Sequence, residues 1–199
     1  MKQKYKLKSK SKKQKKQSTH ATKSMMNATV PHTSILILNV NGLNAPLKRY
    51  RMAQWMIIRQ PRICCLQETH IACKDSHKLQ VKVWKQMFHI NGHQKQAGIA
   101  IFIPDRTNFK ATAVKKDEEG HYIMIKGLVQ QENIRILSIY APNTEAPKFI
   151  KQLLLDLRNE IESNTIIVGD FNTPLTALDR LSRQKVNKET MDLNYTLEQ

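Results

Sequence analysis

The chain has 199 residues, a formal net charge of +17 at pH 7 and a hydrophobic content of 40%. This length suits one domain with a buried core, and the excess of cations favours a polyanionic partner. Three cysteines without paired spacing argue against a disulfide framework and for a reducing compartment. No apolar segment has the length that spans a bilayer and no secretory signal is evident, so we expect a soluble intracellular protein without a membrane partner.

Residues 1–33 form a lysine-rich segment that contains no acidic residue. The segment has too few apolar residues to order itself, so we predict a disordered leader ahead of a single domain at 34–199. Clustered lysines neutralise phosphates, which makes the leader a candidate nucleic-acid arm or nuclear address; a solvated leader without either role is the alternative. A mitochondrial transit peptide is disfavoured because those segments prefer arginine. The lysines assigned to nucleic-acid binding are Lys8, Lys10, Lys12, Lys13, Lys15 and Lys16.

Two apolar runs near the start of the domain, at 34–40 and 62–67, predict buried strands, and the amphipathic stretch 47–60 predicts a helix between them. Asn39 lies at the end of the first strand. Glu68 follows the second strand and is the first acidic residue of the chain. A single acid after so long a basic run needs a cation, and either a metal or a lysine would serve.

The middle of the chain is rich in strand patterns separated by turns. We predict strands at 81–90, 98–103, 110–114, 122–129 and 134–140, with a hairpin turn at 117–120. Apolar residues at helical spacing predict a core-facing helix over 148–163, and the last residues, 180–199, have the pattern of a polar helix. Strand runs interrupted by helices indicate sheets packed between helical layers.

A further strand starts at Thr165 and ends in Gly169, Asp170 and Asn172. Alternate residues of an extended segment point the same way, so Asp170 and Asn172 are expected to face one small ligand, such as a phosphate with a water beside it. Taken alone, this polar stretch is more typical of a turn. Glu68 and Asn39 at two other strand ends favour the site.

Four short motifs occur in the order seen in the endonuclease/exonuclease/phosphatase superfamily, which the chain therefore resembles. They are Asn39-Val40-Asn41-Gly42-Leu43, Leu66-Gln67-Glu68-Thr69-His70, Ile139-Tyr140-Ala141-Pro142-Asn143 and Gly169-Asp170-Phe171-Asn172. Residues 34–199 most closely resemble the apurinic-like endonuclease domain of mammalian LINE retrotransposon second-open-reading-frame proteins. They are similar, more distantly, to exonuclease III-type abasic-site endonucleases.

The resemblance implies an α/β fold, a four-layer αββα sandwich, that hydrolyses phosphodiesters with a divalent metal. Glu68, helped by Asn39, would hold Mg²⁺, with Mn²⁺ as the alternative ion. Asp170 would orient or deprotonate the attacking water. The scissile phosphate would be bound by Asn172, Tyr140 and Asn143. A sparse carboxylate set suits Mg²⁺, because that ion keeps several waters and binds one or two carboxylates together with substrate oxygens.

The chain departs from the family pattern at its C-terminal end, where further strands, a second aspartate and a closing Ser-Asp-His motif are absent. We therefore expect a sandwich that is incomplete there, with an open sheet edge. Two hypotheses follow: a metal-dependent DNA endonuclease, or a catalytically inactive nucleic-acid-binding remnant of one. A phosphomonoesterase or lipid phosphatase is a weaker third. DNA is the expected partner with RNA as the alternative, the chain is expected to be a monomer, and the nucleus is favoured over the cytoplasm.

Overall fold

The computed structural model of the protein describes residues 34–81, 84–92, 97–175 and 188–197. The predictions for the lysine-rich leader lie outside these residues. In chain order the strands and helices are β1 Ile35–Asn39, α1 Pro46–Arg59, β2 Ile63–Gln67, β3 Gln86–Ile90, β4 Ile99–Ile103, β5 Lys110–Lys116, β6 Tyr122–Val129, β7 Glu132–Tyr140, α2 Ala146–Asp156, β8 Thr165–Asp170 and α3 Lys188–Leu197. Among the described helices, none is long and apolar enough to cross a membrane.

The strands form two four-stranded sheets, ordered β1-β2-β4-β3 and β5-β6-β7-β8. Each sheet contains one parallel pair: β1 with β2, where Asn39 is opposite Gln67, and β7 with β8, where Tyr140 is opposite Asp170. The remaining pairs are antiparallel. Because parallel strands end at the same edge of a sheet, each pair places the polar residues at the C-terminal ends of its two strands side by side at one edge.

The two sheets pack face to face over a layer of aliphatic side chains. This layer includes Ile63, Cys65, Ile101, Ile123 and Ile125, all fully buried. Helix α1 packs its buried Met56 on the outer face of the first sheet, and α2 packs on the outer face of the second. The order of layers is therefore helix, sheet, sheet, helix, and the predicted αββα sandwich is confirmed.

Burial in the sheets follows from position. Strand β2 lies inside its sheet with both faces covered, so every residue in it is buried, whereas every residue of the edge strand β5 is exposed. Cys64 and Cys65 are free and buried in the core. Burial raises the pKa of the Cys65 thiol to about 12 and also raises the pKa of Cys64, so neither is a reactive thiolate at neutral pH.

Two elements are shorter than the sequence pattern indicates. The helix predicted over 148–163 ends at Asp156, and the chain then turns so that Glu160 accepts a 2.7 Å hydrogen bond from Lys126 on β6. The strand predicted over 81–90 begins only at Gln86, because Trp84 is buried against Phe102 instead of continuing the ladder. In both cases the chain leaves the local pattern and makes a tertiary contact there.

The C-terminal helix α3 packs on α2 and belongs to the same outer layer. Leu193 is fully buried there, while Met191 and Leu197 remain exposed. Lys148 of α2 lies 3.2 Å from Glu189 of α3. The polar helix predicted over 180–199 is thus present at 188–197, and its predicted beginning lies outside the described residues.

Candidate active site

Polar side chains from four strand ends meet at the edge of the sandwich. The Asn39 amide nitrogen donates to Glu68 Oε1 at 2.7 Å and to Asp170 Oδ2 at 2.8 Å. Glu68 follows β2 in the first sheet, and Asp170 ends β8 in the second, so one amide joins carboxylates from both sheets. The structure therefore brings together the three residues that the sequence analysis assigned to three separate strand ends.

The orientation of the Asn39 amide is set by its own loop. Its Oδ1 accepts a hydrogen bond from the backbone N–H of Asn41 at 3.0 Å, which leaves its NH₂ group to face Glu68 and Asp170. The metal-binding role assigned to Asn39 stays a prediction. In this arrangement Asn39 holds the two carboxylates together, because its amide nitrogen carries two N–H bonds and donates to both Glu68 and Asp170.

Gly169 allows β8 to approach β7 closely just before Asp170. Its φ is +149°, and a Cβ at this position would lie 1.8 Å from the carbonyl oxygen of Ile139, the residue opposite it in the ladder. Only glycine fits such a contact. The close approach places Asp170 beside Tyr140, its partner in the register.

The chain turns after Asp170 instead of continuing in an extended form. Asp170 Oδ1 accepts the backbone N–H of Asn172 at 3.1 Å, and Asn172 has a φ of +46°. The expectation that both side chains point the same way from an extended segment is therefore wrong, because the Asp side chain bonds its own backbone and closes the strand. The Asn172 amide still reaches the site region, where it donates to the carbonyl of Ala141 at 2.6 Å.

Several residues of the site loops have left-handed backbone conformations that residues other than glycine adopt at a cost. They are Asn41, Glu68, His70 and Asn172, with φ between 42° and 53°. Such conformations persist where the surrounding structure imposes them, and they concentrate at functional sites. The turn at Glu68 also brings His70 Nε2 to 3.8 Å from Glu68 Oε2, the oxygen that does not bond Asn39.

Tyr140 ends β7 with a ring that is only 6% exposed. Burial, and then a hydrogen bond to the Glu68 carboxylate, raise the pKa of the Tyr140 hydroxyl to about 12, so this group remains a hydrogen-bond donor at neutral pH. Tyr140 is thereby held next to Glu68, Asp170 and Asn172. Asn143 lies exposed in the loop after β7, and its phosphate-binding role stays a prediction.

The donor set at this edge suits a hard divalent cation. Glu68 and Asp170 supply carboxylate oxygens, the ligands that Mg²⁺ and Mn²⁺ prefer, and Mg²⁺ needs only one or two of them because it keeps its waters. Over the described parts of the chain, no three His, Cys, Asp or Glu side chains converge to form a protein-only cage. The residues therefore fit a hydrated Mg²⁺ better than an ion that demands a full set of protein ligands.

An open cleft of about 540 Å³ adjoins Asp170 on the side of β1 and β8. Its polar lining includes Asn39, Asp170 and Asn172, and also Gln67, which the sequence analysis did not assign to the site. Gln67 and Ser138 are both buried in the layer between the sheets, 3.4 Å apart. The sequence signal that could have identified Gln67 is a polar residue at an inward-facing position of an otherwise apolar strand.

The sequence profile of the endonuclease/exonuclease/phosphatase family matches residues 36–195, which is most of the chain. The chain belongs to this family. Its fold is similar to that of an AP endonuclease from Archaeoglobus fulgidus, with a TM-score of 0.65, 18% identity and coverage of 84% of this chain and 70% of that one. The family assignment agrees with the superfamily inferred from the four motifs.

Two further structures share the fold. The catalytic domain of Xenopus laevis APE2 matches with a TM-score of 0.62 and 15% identity, over 83% of this chain and 66% of that one. Truncated TDP2 from Caenorhabditis elegans matches with a TM-score of 0.57 and 14% identity, over 78% of this chain and 66% of that one. The chain therefore spans roughly two thirds of the length of the structures it matches. At these identities the likeness is one of fold.

Proposed function

We propose that this protein is a metal-dependent DNA endonuclease of the retrotransposon type, which nicks DNA by hydrolysing a phosphodiester. The observation that supports this most is the Asn39 amide, which joins the Glu68 and Asp170 carboxylates at the edge where four strands end. A pair of carboxylates held side by side by a neutral amide suits a divalent ion with a water beside it. The proposal includes Mg²⁺ as the ion, a monomer as the active form and the nucleus as its location.

Each residue of the proposed site has a task that its contacts suit. Glu68 would hold the ion through the carboxylate oxygen that Asn39 leaves free. Asp170, fixed by Asn39 and by the Asn172 backbone, would orient and deprotonate the attacking water. A positioned general base contributes about two to four powers of ten in rate. When bound, the ion would neutralise charge on the phosphoryl oxygens and on the leaving oxygen.

The phosphate would be bound by neutral donors near these carboxylates. The Tyr140 hydroxyl keeps its proton at neutral pH, because its pKa is raised to about 12. Asn172 and Asn143 would add amide donors from the two loops that follow β8 and β7. The Tyr140 hydroxyl bonds Glu68 here, so binding a phosphate would transfer this donor from the carboxylate to a phosphoryl oxygen and free the carboxylate for the ion.

A non-catalytic nucleic-acid-binding protein is the second candidate function, and the net charge of +17 with ten lysines in the first 23 residues supports it. Binding of this kind would rest on lysine–phosphate pairs. It would weaken as the salt concentration rises, because the release of counterions from the nucleic acid then gains less free energy. It would not require Glu68 or Asp170.

The deciding experiment is conversion of supercoiled plasmid to nicked circle by the full chain, with Mg²⁺ and with EDTA. We expect Mg²⁺-dependent nicking that Glu68→Ala and Asp170→Ala both abolish. Glu132→Ala is the matched control, because Glu132 is an exposed carboxylate at the opposite end of β7. Circular dichroism on each preparation shows that the chain is folded. A folded chain that retards DNA without nicking it would leave only the binding function.

The leader is tested separately through the salt dependence of DNA binding. Replacing the six lysines assigned to nucleic-acid binding by alanine should weaken binding and lower the slope of log K against log salt. The slope should fall by about 0.9 for each phosphate that the variant no longer neutralises. A scrambled leader of the same composition is the control. An unchanged slope would remove the leader from the DNA-binding surface.

A further inference from the structure

Gln67 and Ser138 form a polar pair in the otherwise apolar layer between the sheets. Gln67 is 1% exposed and Ser138 is fully buried, and the Gln67 amide nitrogen donates to Ser138 Oγ at 3.4 Å. Both are inward-facing residues, since Cys65 precedes Gln67 by two positions and Tyr140 follows Ser138 by two, and both neighbours belong to the central cluster. The pair therefore links the first sheet to the second.

The pair lies directly beneath the proposed active site. Gln67 immediately precedes Glu68, and Ser138 is two residues before Tyr140, whose hydroxyl bonds Glu68. The separation of the two strands at this level determines how far the Tyr140 hydroxyl lies from the Glu68 carboxylate. Ser138 is also bonded to the Cys65 side chain, so the hydroxyl keeps one partner in the core when Gln67 is removed.

Gln67 is poorly satisfied by the protein itself. Its bond to Ser138 is long for a hydrogen bond, and its Oε1 is buried without any partner. A buried polar atom left unpaired destabilises a fold, so an apolar side chain of the same volume would be more stable at this position. Gln67 is poorly satisfied in either orientation of its amide, because one of the two polar atoms faces Ser138 and the other is unpaired.

Gln67 lies at the inner wall of the open cleft beside Asp170. It lines this cleft together with Asn39, Asp170 and Asn172, while its Oε1 atom is itself buried between the sheets. The side chain therefore connects the layer between the sheets to the residues around the cleft.

We propose that Gln67 is a positioning residue of the active site, which through Ser138 sets the spacing of Glu68 and Tyr140. This inference rests on the proposed function for its catalytic consequence. Its structural content, the tie between the two strand ends, does not depend on nicking activity.

The test compares Gln67→Met, Ser138→Ala and the double variant with the wild type. Methionine keeps the volume of glutamine and removes both polar atoms. Thr107→Val is the matched control, because Thr107 is a buried hydroxyl that donates to the carbonyl of Arg62 at 3.0 Å, outside the cleft. Nicking kcat and KM, the urea midpoint and the ring signal of Tyr140 in ¹³C-tyrosine-labelled protein are measured for each, with the signal assigned by Tyr140→Phe.

We expect kcat to fall about tenfold in each single variant and no further in the double variant, with KM unchanged, as for a misplaced catalytic group. The urea midpoint of Gln67→Met should equal or exceed that of the wild type, because an unpaired buried atom is removed. Thr107→Val should lower the midpoint and leave kcat unchanged. A wild-type kcat in Gln67→Met, or a loss of kcat that only follows a loss of folded protein, would overturn the inference.

The Tyr140 signal separates this inference from the proposed function. It should move in Gln67→Met and in Ser138→Ala and stay in place in Thr107→Val, whether or not the protein nicks DNA. A wild type that does not nick would refute the proposed function and leave the inference to be decided by this signal. A Tyr140 signal unmoved by both site substitutions would refute the inference even in an active enzyme.

Discussion

Two clusters of carboxylates in this molecule differ in the groups that bond them. The first is the pair of Glu68 and Asp170 joined by Asn39 at the strand ends. The second lies in the β5–β6 turn, where His121 Nδ1 is 3.6 Å from Asp117 Oδ2 and 3.4 Å from Glu119 Oε2. The first assembles residues that are distant in sequence, and the second is local.

The difference lies in what satisfies the negative charge. Asp117 accepts the backbone N–H of His121 with both oxygens at 3.0 Å and that of Tyr122 at 3.1 Å. Burial alone would raise the pKa of Asp117, but the hydrogen bonds from His121 and Tyr122 lower it overall. A carboxylate saturated by its own turn is a structural group, whereas the Glu68 carboxylate is bonded by the side chains of Asn39 and Tyr140 from other strands.

Tyr140 contacts both clusters. Its backbone N–H donates to the His121 carbonyl at 2.7 Å, and the His121 and Tyr140 rings are nearly parallel with centroids 6.5 Å apart. Its hydroxyl bonds Glu68. The turn cluster therefore supports the end of β7, and the site cluster uses the side chain that this strand end presents.

The largest expected effect comes from removing the negative charge of the site cluster. Glu68→Gln and Asp170→Asn keep shape and remove charge, so nicking should fall by about a thousandfold or more, because the ion and the general base are lost. The unfolding free energy should stay the same or rise, since two like charges no longer share one amide. Plasmid nicking and urea unfolding measure the two quantities. A large loss of stability would place the pair with the structural carboxylates.

Next in size is Gly169→Ala, which acts on the site cluster through the backbone. The added Cβ would meet the Ile139 carbonyl at 1.8 Å, so β8 must move away from β7. We expect the unfolding free energy to fall by about 3 kcal/mol, and we expect Asp170 to be displaced from its place beside Tyr140. The exposed edge-strand change Ala113→Ser is the control and should leave urea unfolding unchanged. A stable Gly169→Ala protein with wild-type nicking would contradict the role of the close approach.

Tyr140→Phe sharpens the comparison at the residue the clusters share. It removes the hydroxyl and keeps the ring beside His121, so nicking should fall about tenfold to a hundredfold from loss of a hydrogen bond to a charged group. Folding should be nearly unaffected. Tyr122→Phe, on the neighbouring strand, is the control. Equal kinetics for both variants would show that the Tyr140 hydroxyl takes no part in the reaction.

The smallest expected effect is on the turn cluster. Asp117→Asn should lower the unfolding free energy by about 1 kcal/mol at pH 5 to 6 and leave nicking unchanged. The carboxylate of Asp117 raises the pKa of His121 above its usual 6.5, so the stability from this pair is complete below 6.5 and lost as pH rises through the higher folded value.

At the acid end the sign is reversed. The pKa of Asp117 is lowered below its usual 3.8, so its contribution is present above 3.8 and is lost as pH falls through the lower folded value. Urea unfolding from pH 3 to 9 should therefore show the largest difference between wild type and Asp117→Asn between 3.8 and 6.5. A difference independent of pH would mean that the backbone hydrogen bonds alone account for the turn.

Much of the fold was predictable because its signals are local. The apolar runs of β1, β2, β4, β6 and β8 and the amphipathic α1 have patterns that their burial explains. The prediction failed where the chain leaves a local pattern, as after Asp156, where α2 ends and the following turn places Glu160 against Lys126. It also gave no sign of the Gln130-Gln131 turn between β6 and β7, where both residues have positive φ without glycine.

The sequence by itself predicted which residues would form the site: the motifs name Asn39, Glu68, Tyr140 and Asp170, and the apolar runs before them predict strand ends. Only the tertiary structure decided that one amide joins the two carboxylates, that Asp170 and Asn172 adopt the turn instead of the extended form, and that the Oε1 atom of Gln67 lies unpaired beneath them. The physical reason is that the 2.7 Å bond from Asn39 to Glu68 within the first sheet and the 2.8 Å bond from Asn39 to Asp170 across the two sheets depend on register and on close approach at a glycine. No periodicity along the chain encodes those distances.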